Sequence, residues 1–139
     1  MLENMVKKIV YFVAGIMAIL SFGFIGANTD NSVFALEDMV QASIVYGATS
    51  LTDTAYTPNP IEARVNQTVL WTNDDFTFHT VTSGSAGADD VGKAFDSGLA
   101  GPNALSSQGK TFKHTFDKPG EYPYFCILHP AMVGTVIVK

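Results

Sequence analysis

The chain has 139 residues, of which 47% are apolar and 15% charged, a composition that supports one domain with a core and excludes a disordered chain. Its formal charge of −5, without any extended basic cluster, excludes a nucleic-acid-binding surface. An acidic surface can steer a basic partner, but many proteins carry such a charge without a docking role.

Lys7 and Lys8 precede an uncharged run over residues 9–27, IVYFVAGIMAILSFGFIGA. A basic start, an apolar run and then SVFA ending at Ala35 form the pattern of an export signal. The run is also about the length of a membrane span, which needs ~20 residues, so a retained anchor is the alternative. Residues 1–35 are thus expected to be a signal peptide or N-terminal membrane anchor, and residues 36–139 the functional domain. Either reading places that domain outside the cytoplasm, in a periplasm-like space or on the outer face of the cell membrane. Membrane association would run through the N-terminal segment alone, and the domain is expected to be a monomer.

Beyond residue 36 the punctuation is that of an all-β protein, with short runs rich in Val, Ile, Thr, Phe and Tyr between turn residues. Strands are expected at IEARV (61–65), TVLWT (68–72), FHTVT (78–82), KTFKHTF (110–116), EYPYFC (121–126) and VGTVIVK (133–139). No stretch sustains a capped helical period. The spacing fits a β-sandwich or Greek-key barrel. Residues 83–109 hold six glycines and a proline and are expected to form a long surface excursion, with a tolerated insertion as its simplest explanation.

The stretch CILHPAM (126–132) carries the chemistry. Cys126 is the only cysteine, which rules out an internal disulfide and paired-cysteine motifs. A free thiol outside the cytoplasm oxidises unless it is buried or bound. Three residues on stands His129, and three further on Met132. Thiolate, imidazole and thioether form a soft donor set that suits copper in both oxidation states. Structural zinc wants four Cys or His ligands and makes poor use of a thioether. A Cys–His pair three residues apart on one loop seldom has nucleophile–base geometry, and Met132 would have no role in it.

A fourth donor must come from elsewhere, and two histidines remain. His114 lies mid-strand between Phe112 and Phe116, on one face by alternation, and reads as structural. His79 opens a strand after the acidic, aromatic stretch NDDFTFH, where it can reach the 126–132 loop; it is the expected second nitrogen ligand. The expected metal-ligand set is therefore His79, Cys126, His129 and Met132, with one copper ion as the expected cofactor.

WTNDDFTFHTVTSG and KTFKHTFDKPGEYPYFCILHPAMVGTVIVK resemble the cupredoxins, the type 1 blue copper proteins, over about residues 56–139. The Cys126–His129–Met132 spacing resembles the amicyanin-like short loop. The resemblance implies an all-β, eight-stranded Greek-key sandwich over residues 36–139 with copper at one end. It implies a trigonal plane of His79, Cys126 and His129 and a weak axial Met132. It also implies electron exchange through the edge of His129, in an apolar patch that includes Pro130 and Ala131. Trp71, Tyr122 and Tyr124 are expected to pack the core, and Phe125 to point the other way. Three features depart from the family. Thr80 stands where Asn is common, and its hydroxyl can tie the two ligand loops together. Ala131 replaces the bulky residue that often precedes the axial Met. The 83–109 excursion has no fixed counterpart.

The function implied is single-electron transport between redox protein partners, with the acidic charge compatible with basic ones. The alternative is an enzyme-like role in which the gap beside Ala131 admits a small molecule such as nitric oxide to the copper. Copper storage or delivery fits less well, because only one methionine follows Met39.

Overall fold

The computed structural model describes residues 39–139; the expected signal or anchor lies outside the described residues. Eight strands are described: β1 (Met39–Ile44), β2 (Tyr56–Thr57), β3 (Ile61–Ala63), β4 (Thr68–Asn73), β5 (Thr82–Ser83), β6 (Thr111–Thr115), β7 (Gly120–Phe125) and β8 (Val133–Val138). They form two four-stranded sheets, ordered β2-β1-β4-β6 and β3-β8-β7-β5. Each sheet is mixed: β1 runs parallel to β4 and β3 parallel to β8, while the remaining neighbours are antiparallel. The fold is the all-β, eight-stranded two-sheet sandwich expected from the sequence.

Alternation explains which side chains enter the core. In β4, Val69, Trp71 and Asn73 are buried while Thr68, Leu70 and Thr72 are only partly covered. In β8 the buried set is Gly134, Val136 and Val138. Trp71 lies at the centre, stacked on Phe95 and Phe112 at 5.8 and 5.7 Å and edge-on to Tyr124 at 5.6 Å. Its indole N–H donates to the Tyr124 hydroxyl (3.3 Å), and the Tyr56 hydroxyl donates to the Thr80 carbonyl (2.7 Å), so the buried aromatic tips are satisfied. Between β3 and β4, Asn66 adopts φ 67°, a left-handed conformation that asparagine tolerates better than most residues.

Gly134 pairs with Tyr124 across β7 and β8, and the tyrosine ring lies over its bare backbone. A Cβ at Gly134 would stand 2.4 Å from the ring. Phe125 lies outside the Trp71 cluster, yet it too is buried.

Three expectations need correction. The strand expected over 78–82 is mostly a loop: only Thr82–Ser83 form β5, and His79 makes a lone bridge to Leu105. The backbone there is taken up by side chains: the Thr80 N–H donates to Cys126 Sγ (3.3 Å), the Val81 N–H to Ser97 Oγ (3.0 Å), and the Thr80 carbonyl accepts the Tyr56 hydroxyl (2.7 Å). These side-chain bonds offer the backbone an alternative to a ladder. The sequence places no strand on residues 39–44 or 56–57, where β1 and β2 form. Finally, residues 83–109 do lack strands beyond Ser83, but they are not merely a surface excursion. Phe95, Ser97, Ala104 and Leu105 are buried, and Phe95 and Leu105 belong to the core cluster.

Candidate metal centre

Two loops at one end of the sandwich build the site. The first joins β7 to β8 and is closed by its own backbone. The Cys126 N–H donates to the Met132 carbonyl (3.1 Å), the His129 N–H to the Cys126 carbonyl (3.2 Å) and the Met132 N–H to the His129 carbonyl (2.9 Å). The three residues that the sequence places three apart are therefore folded onto one turn. The second loop follows β4 and delivers His79, whose N–H donates to the Leu105 carbonyl (3.2 Å).

The loops meet at the Cys126 sulfur. His79 Nδ1 lies 3.9 Å from Sγ and His129 Nδ1 3.6 Å from it, with the two rings 5.1 Å apart. The donor atoms of His79, Cys126 and His129 all fall within 4.8 Å of one another. His79, Cys126 and Met132 are fully buried, and His129 is half-buried. One thiolate between two imidazole nitrogens in a dry pocket is a donor set that fits copper.

Thr80 ties the loops together. Its backbone N–H donates to Cys126 Sγ (3.3 Å), and its hydroxyl accepts the Ile127 N–H (2.9 Å). That hydroxyl is held in turn by Thr82 (3.0 Å), which also bonds Asp96 (2.9 Å). The tie expected from the Thr80 side chain is thus present.

The electrostatics favour a thiolate. Burial alone would push the Cys126 thiol up, but hydrogen bonds from His79, the Thr80 N–H and His129 bring it down to about 6. Burial pushes His79 down, and its contacts with Cys126 and Asp75 outweigh that, so its value is raised. Burial pushes Asp75 up, and the hydrogen bonds it accepts from His79, Gly47 and Phe76 hold it below the usual carboxylate value.

Asp75 is the contact to His79 that the sequence reading missed. It is buried, and its Oδ2 lies 2.9 Å from His79 Nε2. The signal was there in NDDFTFH, where an acidic residue stands four before the histidine. His114 takes no part. Its ring packs against Phe95 (5.1 Å) and Phe116 (4.8 Å), and burial lowers its pKa against the pull of Asp117.

A sequence model of copper-binding proteins of the plastocyanin/azurin family matches residues 42–139. The chain belongs to this family. Amicyanin from Paracoccus versutus is 27% identical over 115 residues, covering 80% of this chain and 76% of the amicyanin. Amicyanin from Paracoccus denitrificans is 28% identical over 124 residues, covering 86% and 87% of the two chains. Among solved structures, a purple cupredoxin from Nitrosopumilus maritimus superposes with a TM-score of 0.61 at 35% identity, over 72% of this chain and 99% of that one. This cupredoxin is a type 1 copper protein that carries electrons to and from redox partners.

Around the half-buried His129 the surface is apolar. Ile127, Leu128 and Val133 are exposed large hydrophobic residues, and Pro130 and Ala131 are exposed beside them. The position immediately before Met132 thus carries only a methyl group, as the sequence implied.

Proposed function

We propose that His79 Nδ1, Cys126 Sγ, His129 Nδ1 and the Met132 sulfur would hold one copper ion in an exported single-electron carrier. The observation that carries this reading is the single buried sulfur with two imidazole nitrogens at 3.9 and 3.6 Å. Bound copper supplies a one-electron couple between its cuprous and cupric states.

The chain's own residues do the rest. His79 and Cys126 are anchored by different loops that Thr80 joins, so the donors hold their places when charge changes. Burial of Cys126 and Met132 keeps water from the sulfur donors. His129 brings one ring edge toward the surface, where a partner's redox group can approach. Ile127, Leu128 and Pro130 form the docking patch around that edge, and the −5 charge favours a partner with a basic rim. The uncharged run over residues 9–27 supports export, with the domain acting as a monomer outside the cytoplasm.

Visible and electron paramagnetic resonance spectra of the copper-loaded protein test the ligand set. An intense thiolate-to-copper band that is bleached on reduction and abolished in Cys126→Ser is expected. A colourless cupric protein, or a band that survives in C126S, overturns the assignment. For docking, Leu128→Glu should slow electron exchange with a redox partner while leaving the spectrum unchanged; an unchanged rate removes the patch from the account.

A further inference from the structure

A neutral imidazole offers one N–H donor and one bare nitrogen, and only the bare nitrogen can bind a metal. His79 presents Nδ1 to the Cys126 sulfur and Nε2 to the Asp75 carboxylate. We propose that Asp75 is a positioning residue that locks His79 in the Nε2–H tautomer and so keeps Nδ1 bare for copper. The consequence for copper rests on the ligand set proposed above; the tautomer itself does not.

The argument turns on what Asp75 can accept. Its Oδ2 meets His79 Nε2 at 2.9 Å, and its Oδ1 accepts the Phe76 N–H at 2.8 Å. The Gly47 N–H is a further donor to the same carboxylate. Among the described residues the Phe76 and Gly47 N–H groups are donors to this carboxylate, and a carboxylate is acceptor-only, so Nε2 fits against it only as a further donor. The Nδ1–H tautomer would set the Nε2 lone pair against a carboxylate oxygen in a pocket where His79 and Asp75 are both buried. No water is needed to complete the Nε2–H form, and both groups are paired in it.

Asp75 is itself held in place. Its own N–H donates to Asn73 Oδ1 (3.0 Å), and the Asn73 amide is pinned by the carbonyls of Thr77 and Leu105. The carboxylate therefore approaches His79 from a fixed direction, and partners that hold a ligating histidine in this way set its ring orientation and tautomer.

An amide at this position would fail in a specific way. If its oxygen kept the Phe76 N–H, its NH2 would face Nε2 and be satisfied only by the Nδ1–H form. If it turned the other way, its NH2 would meet the Phe76 N–H. Asp75→Asn is thus nearly the same size and shape, but it rewards the tautomer that cannot bind metal.

The test is a long-range 1H–15N correlation on 15N-histidine-labelled metal-free protein, at an alkaline pH where His79 is neutral, together with a copper titration. The wild type should show Nε2–H at His79. In D75N the Nδ1–H form should appear and copper affinity should fall about 10- to 100-fold. A wild type with Nδ1–H overturns the proposal on its own, even if D75N folds poorly. A D75N protein that keeps Nε2–H overturns it, as does one that changes tautomer yet binds copper with wild-type affinity. The nitrogen shifts are read without metal, so failure of the tautomer lock is distinguishable from failure of the copper assignment.

Discussion

Replacing Thr80 by Val removes one hydroxyl and nothing else of comparable size. In the native protein that oxygen accepts the Ile127 N–H at 2.9 Å and is bonded by Thr82 at 3.0 Å. Thr80 is fully buried, so Val enters a filled site without changing its shape much. The Thr82 hydroxyl keeps Asp96 as a partner and loses little. The Ile127 N–H has no such alternative in the described contacts and is part-buried. A buried donor left without a partner costs about 1–3 kcal/mol, and partial exposure of Ile127 places T80V in the lower half, at about 1–2 kcal/mol. For a domain of this size that corresponds to a fall in Tm of roughly 4–16 °C. Thermal and denaturant unfolding of the metal-free protein measure it, with Thr80→Ser as the control that retains the hydroxyl and should stay close to wild type. The Thr80 N–H to Cys126 Sγ bond is a backbone bond and survives in T80V, so the copper band should persist. A T80V protein as stable as T80S refutes the claim that the hydroxyl joins the two ligand loops.

Phe95→Ala should destabilise the metal-free protein by about 3–5 kcal/mol, because Phe95 stacks on Trp71 at 5.8 Å and is buried. A loss below about 1 kcal/mol would return residues 83–109 to the status of a tolerated insertion. Gly134→Ala should cost about 1–3 kcal/mol by forcing the Tyr124 ring off its seat, read by denaturant midpoint; a neutral result would mean that the ring moves freely. In the metal-free protein, thiolate ultraviolet absorbance should titrate near pH 6 instead of the ordinary 9.0 and vanish in C126S. The sign follows from the lowered value: between about pH 6 and 9 the unfolded chain holds a proton that folded Cys126 has released. The cysteine's share of stability therefore rises with pH across that window and is gone below it. The raised His79 works in the opposite sense, its share being full below the ordinary 6.5 and lost as pH rises through the folded value. A thiol midpoint near 9 would refute the hydrogen-bonded thiolate.

Much of this was legible because the informative residues are rare and local. One cysteine, a histidine and a methionine within seven residues define a soft site before any fold is known, and the turn that gathers them is only that long. The strands with clear alternation, such as 68–73 and 133–138, were legible for the same reason. What escaped depends on partners far away in the chain. Residues 78–82 have strand composition, but side chains from Tyr56, Ser97 and Cys126 take up the backbone of Thr80 and Val81. Phe95 lies in a glycine-rich stretch whose composition gives no hint that one ring reaches Trp71. Asp75 had a readable spacing to His79, but only burial turns that spacing into a metal-site contact. Strand β1 lacks strong turn signals at its start, and its identity comes from parallel pairing with β4, a register that no local pattern encodes.

The order of strands in the second sheet bears on how the protein is made. β8 sits between β3 and β7, so the last strand described fills an interior place and not an edge. A nascent chain leaves the ribosome N-terminus first. Until residue 126 is out, the emerging polypeptide has no thiol at all, and until residue 138 is out that sheet has a gap at its middle. A chain that stops short of residue 126 thus lacks the thiol donor, and one that stops short of β8 leaves its sheet unclosed. Loading is coupled to the arrival of β8 by the topology itself.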